Sequence, residues 1–317
     1  MNIHDLVDDL YEAFADRIGQ PLSDCARDLP RALGLAPQPV RWSRVFSHEV
    51  TLGAPALFAE AIVGLPSSLT RDAVLAHLLA VIDAFGTDRI EDEQIESSPG
   101  VYAVLGQARR ERDRAMARVY GGRTPAESDF RAADALALRA IRRERAMLLS
   151  ARAVDFRIYE TASLDKQCPG ILASVALARA GGWSERRCQA VRATLASVSL
   201  GLQTADDVVD WEDDLQRGGA WAVCLMRGYA SPSSTRSRES IRNQVLQSGI
   251  LAVMLRRALK HMRGAKRRAK ALGAHRLASW ADQQASRLEG LAAAEAKSAG
   301  YAVRAHALAA WASEVLA

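Results

Sequence analysis

Apolar positions recur at three- and four-residue spacings along nearly the whole chain, the period of helices that bury one stripe. The pattern breaks at Pro21, Leu29-Pro30, Pro37 to Pro39, Leu65 to Ser68, Ser97 to Gly100, Gly121-Gly122, Pro169-Gly170, Gly181-Gly182, Gly218-Gly219 and Ser231 to Ser234. Ten or so helices are expected between these breaks. Three starts are legible: Ser68 before Leu69-Thr70-Arg71-Asp72, the capping box Thr124-Pro125-Ala126-Glu127, and Ser184-Glu185 after a glycine pair. Ala173 to Ala180 and Val191 to Leu202 are apolar around most of their circumference, which marks central helices. No linker is long or polar enough to separate domains and no repeat has a fixed period, so one compact bundle over residues 1–317 is expected, with a core of interest at about 70–230.

Composition agrees with an all-α class. The 317 residues are 49% hydrophobic and only 6% aromatic, enough to bury a sizeable core from Ala and Leu. A net charge of +5 raises the question of nucleic acid, but the 37 acidic residues are interspersed with the 42 basic ones, and no aromatics interleave with the arginines as stacking platforms. Nucleic acid is therefore not expected as a partner. The cation rows at 139–145 and 256–270 read as solvated helix faces, the second with charge ringing the helix. Cys25, Cys168, Cys188 and Cys224 form no CxxC pair and read as small core residues in a reducing compartment. The start MNIHDLVDDLYEAF lacks the basic-then-apolar order of an export signal, and no stretch approaches the roughly 18 to 20 apolar residues of a membrane span. A soluble, cytoplasmic protein is expected. The six histidines show no ligand spacing, and His77 lies too deep on its helix to touch a metal.

Two acidic clusters change the picture. Asp206, Asp210 and Asp214 stand four apart in DDVVDWEDD, so they project within about 80° of one another from one helix whose other residues, Val198, Leu200, Leu202, Val208 and Val209, are apolar. Carboxylates so placed repel one another unless cations sit among their oxygens, and Mg²⁺ is held by a few carboxylates plus substrate phosphates. Upstream, Asp88 and Asp92 form an i,i+4 pair followed by Glu93, after an apolar helix beginning near Arg71. Asp83 lies about 140° away from Asp88 and joins that face only if Gly86 breaks the helical phase, so it and Asp207 are second-rank candidates. Acid at the ends of two otherwise apolar helices is explained economically if the two clusters converge across the top of a bundle. Such a site handles diphosphate.

The residues now carry a resemblance. DRIEDE at 88–93 is similar to the aspartate-rich motif of class I terpene synthases, normally DDxxDE, and DDVVDWEDDLQRGGAWAVCL at 206–225 resembles their second metal motif, with its ligand positions on Asp206, Asp210 and Asp214. Asp206-Asp207 with Asp210, preceded by Gln203, is also similar to the second DDxxD of trans-prenyltransferases. Arg157, followed by Thr161 and Pro169-Gly170, occupies the place of the terpene synthases' diphosphate-sensing arginine, and Lys166 resembles the lysine of the prenyltransferases' Lys-Thr-Gly segment. The resemblance departs at Arg89, which replaces an aspartate, at Asp206 and Asp214, which replace Asn and Glu, and at the missing C-terminal Arg-Tyr pair, for which Gly300-Tyr301 is the nearest echo. The basic N-terminal motif and the Arg-Arg pair of elongating enzymes are missing too.

The resemblance implies the class I isoprenoid synthase fold, a Mg²⁺-dependent terpene synthase with three ions held by these aspartates, and an allylic isoprenyl diphosphate ionised with help from Arg157 and Lys166. Phe85, Tyr159 and Gln203 are the substrate-pocket candidates, with Phe156, Trp211 and Trp221 also near the motifs. Two other readings stay open: a prenyltransferase that shares the ionisation step, and a helical scaffold without activity. Bundle enzymes of this kind often dimerise, which implies a homodimer.

Overall fold

The computed structural model describes the chain except Met1, Ser47, Ser97 and residues 122–125, 230–236 and 316–317; the side chains of 126–128, Tyr229 and 301–315 are likewise outside the description. The capping box at Thr124 and the serine-rich break at 231–234 therefore lie outside the described residues. Among these, the chain forms sixteen helices and no strand. They are α1 (Ile3–Ile18), α2 (Leu22–Arg27), α3 (Leu29–Ala32), α4 (Trp42–Val45), α5 (Glu49–Ala59), α6 (Ser67–Glu91), α7 (Pro99–Val119) and α8 (Ala126–Leu149). Then follow α9 (Phe156–Gln167), α10 (Pro169–Ala180), α11 (Glu185–Val209), α12 (Trp211–Arg217), α13 (Trp221–Tyr229), α14 (Arg238–Ser248), α15 (Ile250–Leu272) and α16 (His275–Val315). The excess over ten comes from short helices in the first fifty residues and from breaks the pattern did not mark, between α8 and α9, at Asp210, at Gly249 and at Gly273.

Local chemistry sets the boundaries. Ser98 Oγ accepts from Val101 N at 3.3 Å to cap α7, whose first residue is Pro99. Asp155 Oδ1 accepts from Ile158 N at 2.8 Å and caps α9. α11 starts at Glu185 as expected, but α6 starts at Ser67 rather than after Ser68, because Pro66 in extended geometry already sets the entry and no side chain caps it.

The chain divides into two compact units, and the first comprises Met1–Arg142, Leu164–Ala196 and Arg267–Ala278. Its centre is α6, buried continuously from Ala73 to Asp83 and packed by α5, α7 and α10. Gly86 is helical and leaves room for Leu105 of α7: a Cβ there would stand 2.8 Å from Leu105 Cδ1. Gly86 is thus a packing glycine and not a phase break. His77, wholly buried, solves a backbone problem. Pro55 has no N–H to give the carbonyl four residues earlier, Thr51, and His77 Nε2 reaches that oxygen at 2.9 Å while Nδ1 faces the Gly170 carbonyl at 2.8 Å. Burial lowers the pKa of His77, against the pull of these carbonyls.

The second unit comprises Arg143–Ser163, Ser197–Lys266 and Ser279–Ala317. Phe156, Tyr159, Trp211 and Trp221 lie in its core with Met254, Leu255 and Met262. Tyr159 and Trp221 meet edge to face at 5.1 Å, and the Trp221 indole donates to Glu144 at 2.8 Å. The turn before α13 requires glycine: Gly219 has φ +155, and a Cβ there would stand 2.3 Å from the Leu148 carbonyl oxygen. Two of the four cysteines, Cys188 and Cys224, are buried and two are half-buried; all are free thiols, and burial pushes Cys224 up to about 11.

Candidate functional site

In the first unit, α6 delivers the upstream acidic pair. Asp92 N bonds to Asp88 O at 2.9 Å, so helical spacing holds from one aspartate to the other although α6 ends at Glu91. Both are half-buried. Lys166, near the end of α9, brings its Nζ within 3.8 Å of Asp88 Oδ1, and its side chain is only 15% exposed. A first-motif carboxylate and the lysine assigned from a different motif thus stand together. Glu91 beside them is held by Arg142 through two bonds, at 2.8 and 3.0 Å.

Asp83 lies away from this face. It is 4% exposed; its Oδ2 accepts from Arg109 Nε at 2.8 Å and stands 3.8 Å from Arg112, while Oδ1 is buried without a hydrogen-bond partner. Arg112 in turn grips Asp134 with two bonds, at 2.9 and 2.8 Å. Burial raises the pKa of Asp83 and the two arginines oppose it. This acid–arginine cluster went unread in the sequence, although a carboxylate in the middle of an apolar helix must find a cation. It borders a cavity of about 210 Å³ whose walls include Ala80, Ala84, Thr87, Leu138 and Ile141. Thr87, on its rim, precedes Asp88. Phe85, a pocket candidate, instead packs on Phe46 with ring centroids 4.7 Å apart.

In the second unit the downstream cluster spans a helix break. α11 ends at Val209 and α12 begins at Trp211, yet Asp210 N bonds to Asp206 O and Asp214 N to Asp210 O, each at 2.9 Å. The backbone ladder therefore carries the one-face spacing through the break. Asp206 and Asp210 are exposed and Asp214 is half-buried, with Arg217 at 3.6 Å. Val198, Leu200 and Val208 are buried as the apolar pattern suggested, but Val209, between the acids, is 70% exposed. Asp207, the next residue to Asp206, turns inward: its Oδ2 accepts from Tyr159 Oη at 2.5 Å and its Oδ1 from Gln203 Nε2 at 2.9 Å. Burial and the Asp207 charge hold Tyr159 well above the usual phenol range. Tyr159 and Gln203 thus serve Asp207 in the interior. Arg157 is exposed, and two residues along α9 from Tyr159 it leaves the helix on nearly the opposite side, about 200° round.

Among the described residues no three His, Cys, Asp or Glu side chains are drawn into a ready-made metal cage. The donors present still suit Mg²⁺. Each set offers hard carboxylate oxygens at i,i+4 spacing and at least partly open to solvent or ligand, and Mg²⁺ keeps several waters and takes its remaining oxygens from phosphate. No helix is long and apolar enough to cross a membrane among the described residues.

No family model matches the chain, and no curated protein matches it. The architecture does match a solved structure. A polyprenyl synthetase from Streptomyces coelicolor A3(2) superposes with a TM-score of 0.68 over 90% of this chain and 97% of that one, at 14% identity. The fold is that of the isoprenoid synthases, all-α as the periodicity indicated.

Proposed function

We propose that the protein is a Mg²⁺-dependent enzyme that ionises an allylic isoprenyl diphosphate, the resulting cation closing, losing a proton or meeting water to give a terpene. The observation that carries this reading is Lys166 beside Asp88 at 3.8 Å, a cation and a metal-type carboxylate side by side, as an anion bound together with its counter-ions demands. Bound Mg²⁺ supplies Lewis-acid neutralisation of the departing diphosphate. The chain's own residues do the rest. Asp88 and Asp92 in the first unit, and Asp206, Asp210 and Asp214 in the second, are the residues that would each hold metal charge; Lys166 would set a compact positive charge on a diphosphate oxygen, and Arg157 is the candidate for a bidentate anion contact. The cavity lined by Thr87 offers alanine, leucine and isoleucine side chains to an apolar tail, with Asp83, Arg109, Arg131 and Asp134 also on its walls. No side-chain nucleophile is required.

A second reading, transfer of the allylic group to an external acceptor, is favoured by the position of Lys166, by the aromatics Tyr159, Trp211 and Trp221 being committed to the core instead of to a cavity wall, and by the name of the structural neighbour, a polyprenyl synthetase. One assay separates the two. Purified protein with Mg²⁺ and geranyl, farnesyl or geranylgeranyl diphosphate is followed for pyrophosphate and for products by mass spectrometry. Hydrocarbon or terpene alcohol without acceptor supports the synthase, and turnover only after isopentenyl diphosphate or another acceptor is added supports transfer. No Mg²⁺-dependent pyrophosphate from any of them overturns both.

A further inference from the structure

We propose that the exposed face of α15 docks this protein on an anionic lipid bilayer. Eight of the chain's 42 basic residues lie within α15 and none of its 37 acidic ones does. Without those eight, 34 cations would face 37 acids, so the whole positive excess of +5 originates in a single helix. The charge does not ring the helix as the sequence suggested. Arg256, Lys260, Arg263, Arg267 and Lys270, spaced by four, three, four and three, fall within about 80° of one another along a straight line of about 21 Å. All five are exposed, while Met254, Leu255, Ala258, Met262, Ala265 and Ala269 on the other side are buried. Arg263 is answered by Glu289 at 3.0 Å; Arg256, Lys260, Arg267 and Lys270 have no carboxylate partner among the described residues.

The four exposed cations of the row that lack a carboxylate partner outnumber the acids beside them, Glu289 on Arg263 and Asp282 on Lys266, and concentrate a positive field that a polyanion complements. The row carries no aromatic side chain on which bases could stack and no Asn or Gln to read base edges, so it lacks the groups of base-specific recognition. A bilayer of anionic headgroups asks for neither. It attracts each Lys or Arg at its surface by about a fivefold gain in partitioning, within a Debye length and without insertion. The absence of large apolar side chains from the row matches adsorption on the headgroups rather than burial among the acyl chains. If the proposed function holds, docking also places the enzyme where an isoprenyl diphosphate, itself an anionic lipid, gathers; the docking does not depend on it.

The test is co-sedimentation of the full chain with vesicles of phosphatidylcholine alone and of equal parts phosphatidylcholine and phosphatidylglycerol, at low and high salt. The expected result is binding to the anionic vesicles only, released by salt, and weakened about a hundredfold or more in the R256Q/K260Q/R267Q/K270Q variant with an unchanged melting temperature. Equal binding to both vesicles, undiminished binding of that variant, or no vesicle binding alongside capture of a DNA duplex overturns the inference. Should the variant fail to fold, the lipid and salt dependence of the wild-type chain still decides. Vesicle binding without pyrophosphate release would sink the diphosphate reading and leave the docking standing, and the converse pattern would do the reverse.

Discussion

Tyr159 donates its hydroxyl to Asp207 at 2.5 Å from inside the core of the second unit, and so fixes the inward edge of the helix whose outward edge carries Asp206 and Asp210. Removing the hydroxyl with Tyr159→Phe leaves a buried carboxylate short of a partner. A loss of about 1–3 kcal/mol in urea unfolding is expected, the penalty of an unsatisfied buried charge-assisted bond. A change within error would show that the bond contributes nothing to the fold.

The adjacent aspartates should separate stability from activity. Asp210→Asn alters an exposed side chain, so the unfolding free energy should stay within about 0.5 kcal/mol while Mg²⁺-dependent pyrophosphate release falls. Asp207→Asn should instead lower stability. Denaturation curves and a pyrophosphate assay on the same preparations give both readings.

Lys166 offers a sharper measure of the anion site. Lys166→Met keeps the length and apolar stem of the side chain but removes its charge from beside Asp88. With a charge-assisted bond valued at about 1.5–3 kcal/mol, turnover per substrate concentration should drop roughly ten- to a hundredfold. Steady-state kinetics on the allylic diphosphate would reveal it, and an unaltered ratio would remove Lys166 from the site.

Asp83→Ala tests a purely structural assignment. The carboxylate is almost fully buried, but Arg109 is half-exposed and Arg112 keeps its two bonds to Asp134, so neither arginine is stranded and a loss of about 1–3 kcal/mol is expected from the missing charge-assisted bond. Apparent Mg²⁺ affinity in whatever protein remains folded should not move, as titration of the pyrophosphate rate with the metal would show.

His77 gives a pH dependence with a definite sign. Its folded pKa lies below the unfolded value of 6.5, so the unfolded chain takes up the proton first. The stability that the neutral ring contributes is complete above 6.5 and diminishes as pH falls through that value. His77→Gln, which retains a donor for the Thr51 carbonyl, should flatten the slope of unfolding free energy between pH 7 and 5.

Helix content, the burial of α10 and the single-face geometry of Asp206, Asp210 and Asp214 were legible because each depends on spacing along the chain, which the 3.6-residue period converts into direction. The glycine turn at 218–219 was legible for a similar reason, since few residues other than glycine adopt its φ values. What could not be read were relations set by packing. Nothing in the string tells which of Asp206 and Asp207 finds a tyrosine behind it, that Asp83 finds arginines on α7, or that Phe85 meets Phe46. The break at Asp210 was also hidden, because the ladder of hydrogen bonds passes through it without losing phase.

The two neighbouring aspartates also constrain how this chain can change over time. Their side chains differ by about 100° of rotation, and that angle alone assigns one to the interior lock with Tyr159 and Gln203 and the other to solvent. Insertion or loss of one residue in α11 between Gln203 and Asp206 would turn Asp207 by about 100° with the whole acidic edge, and so break the lock with Gln203 and Tyr159. Length variation among descendants of this sequence should therefore be confined to the loops beyond α11 and α12, and the tyrosine, the glutamine and the inner aspartate should be inherited as one block.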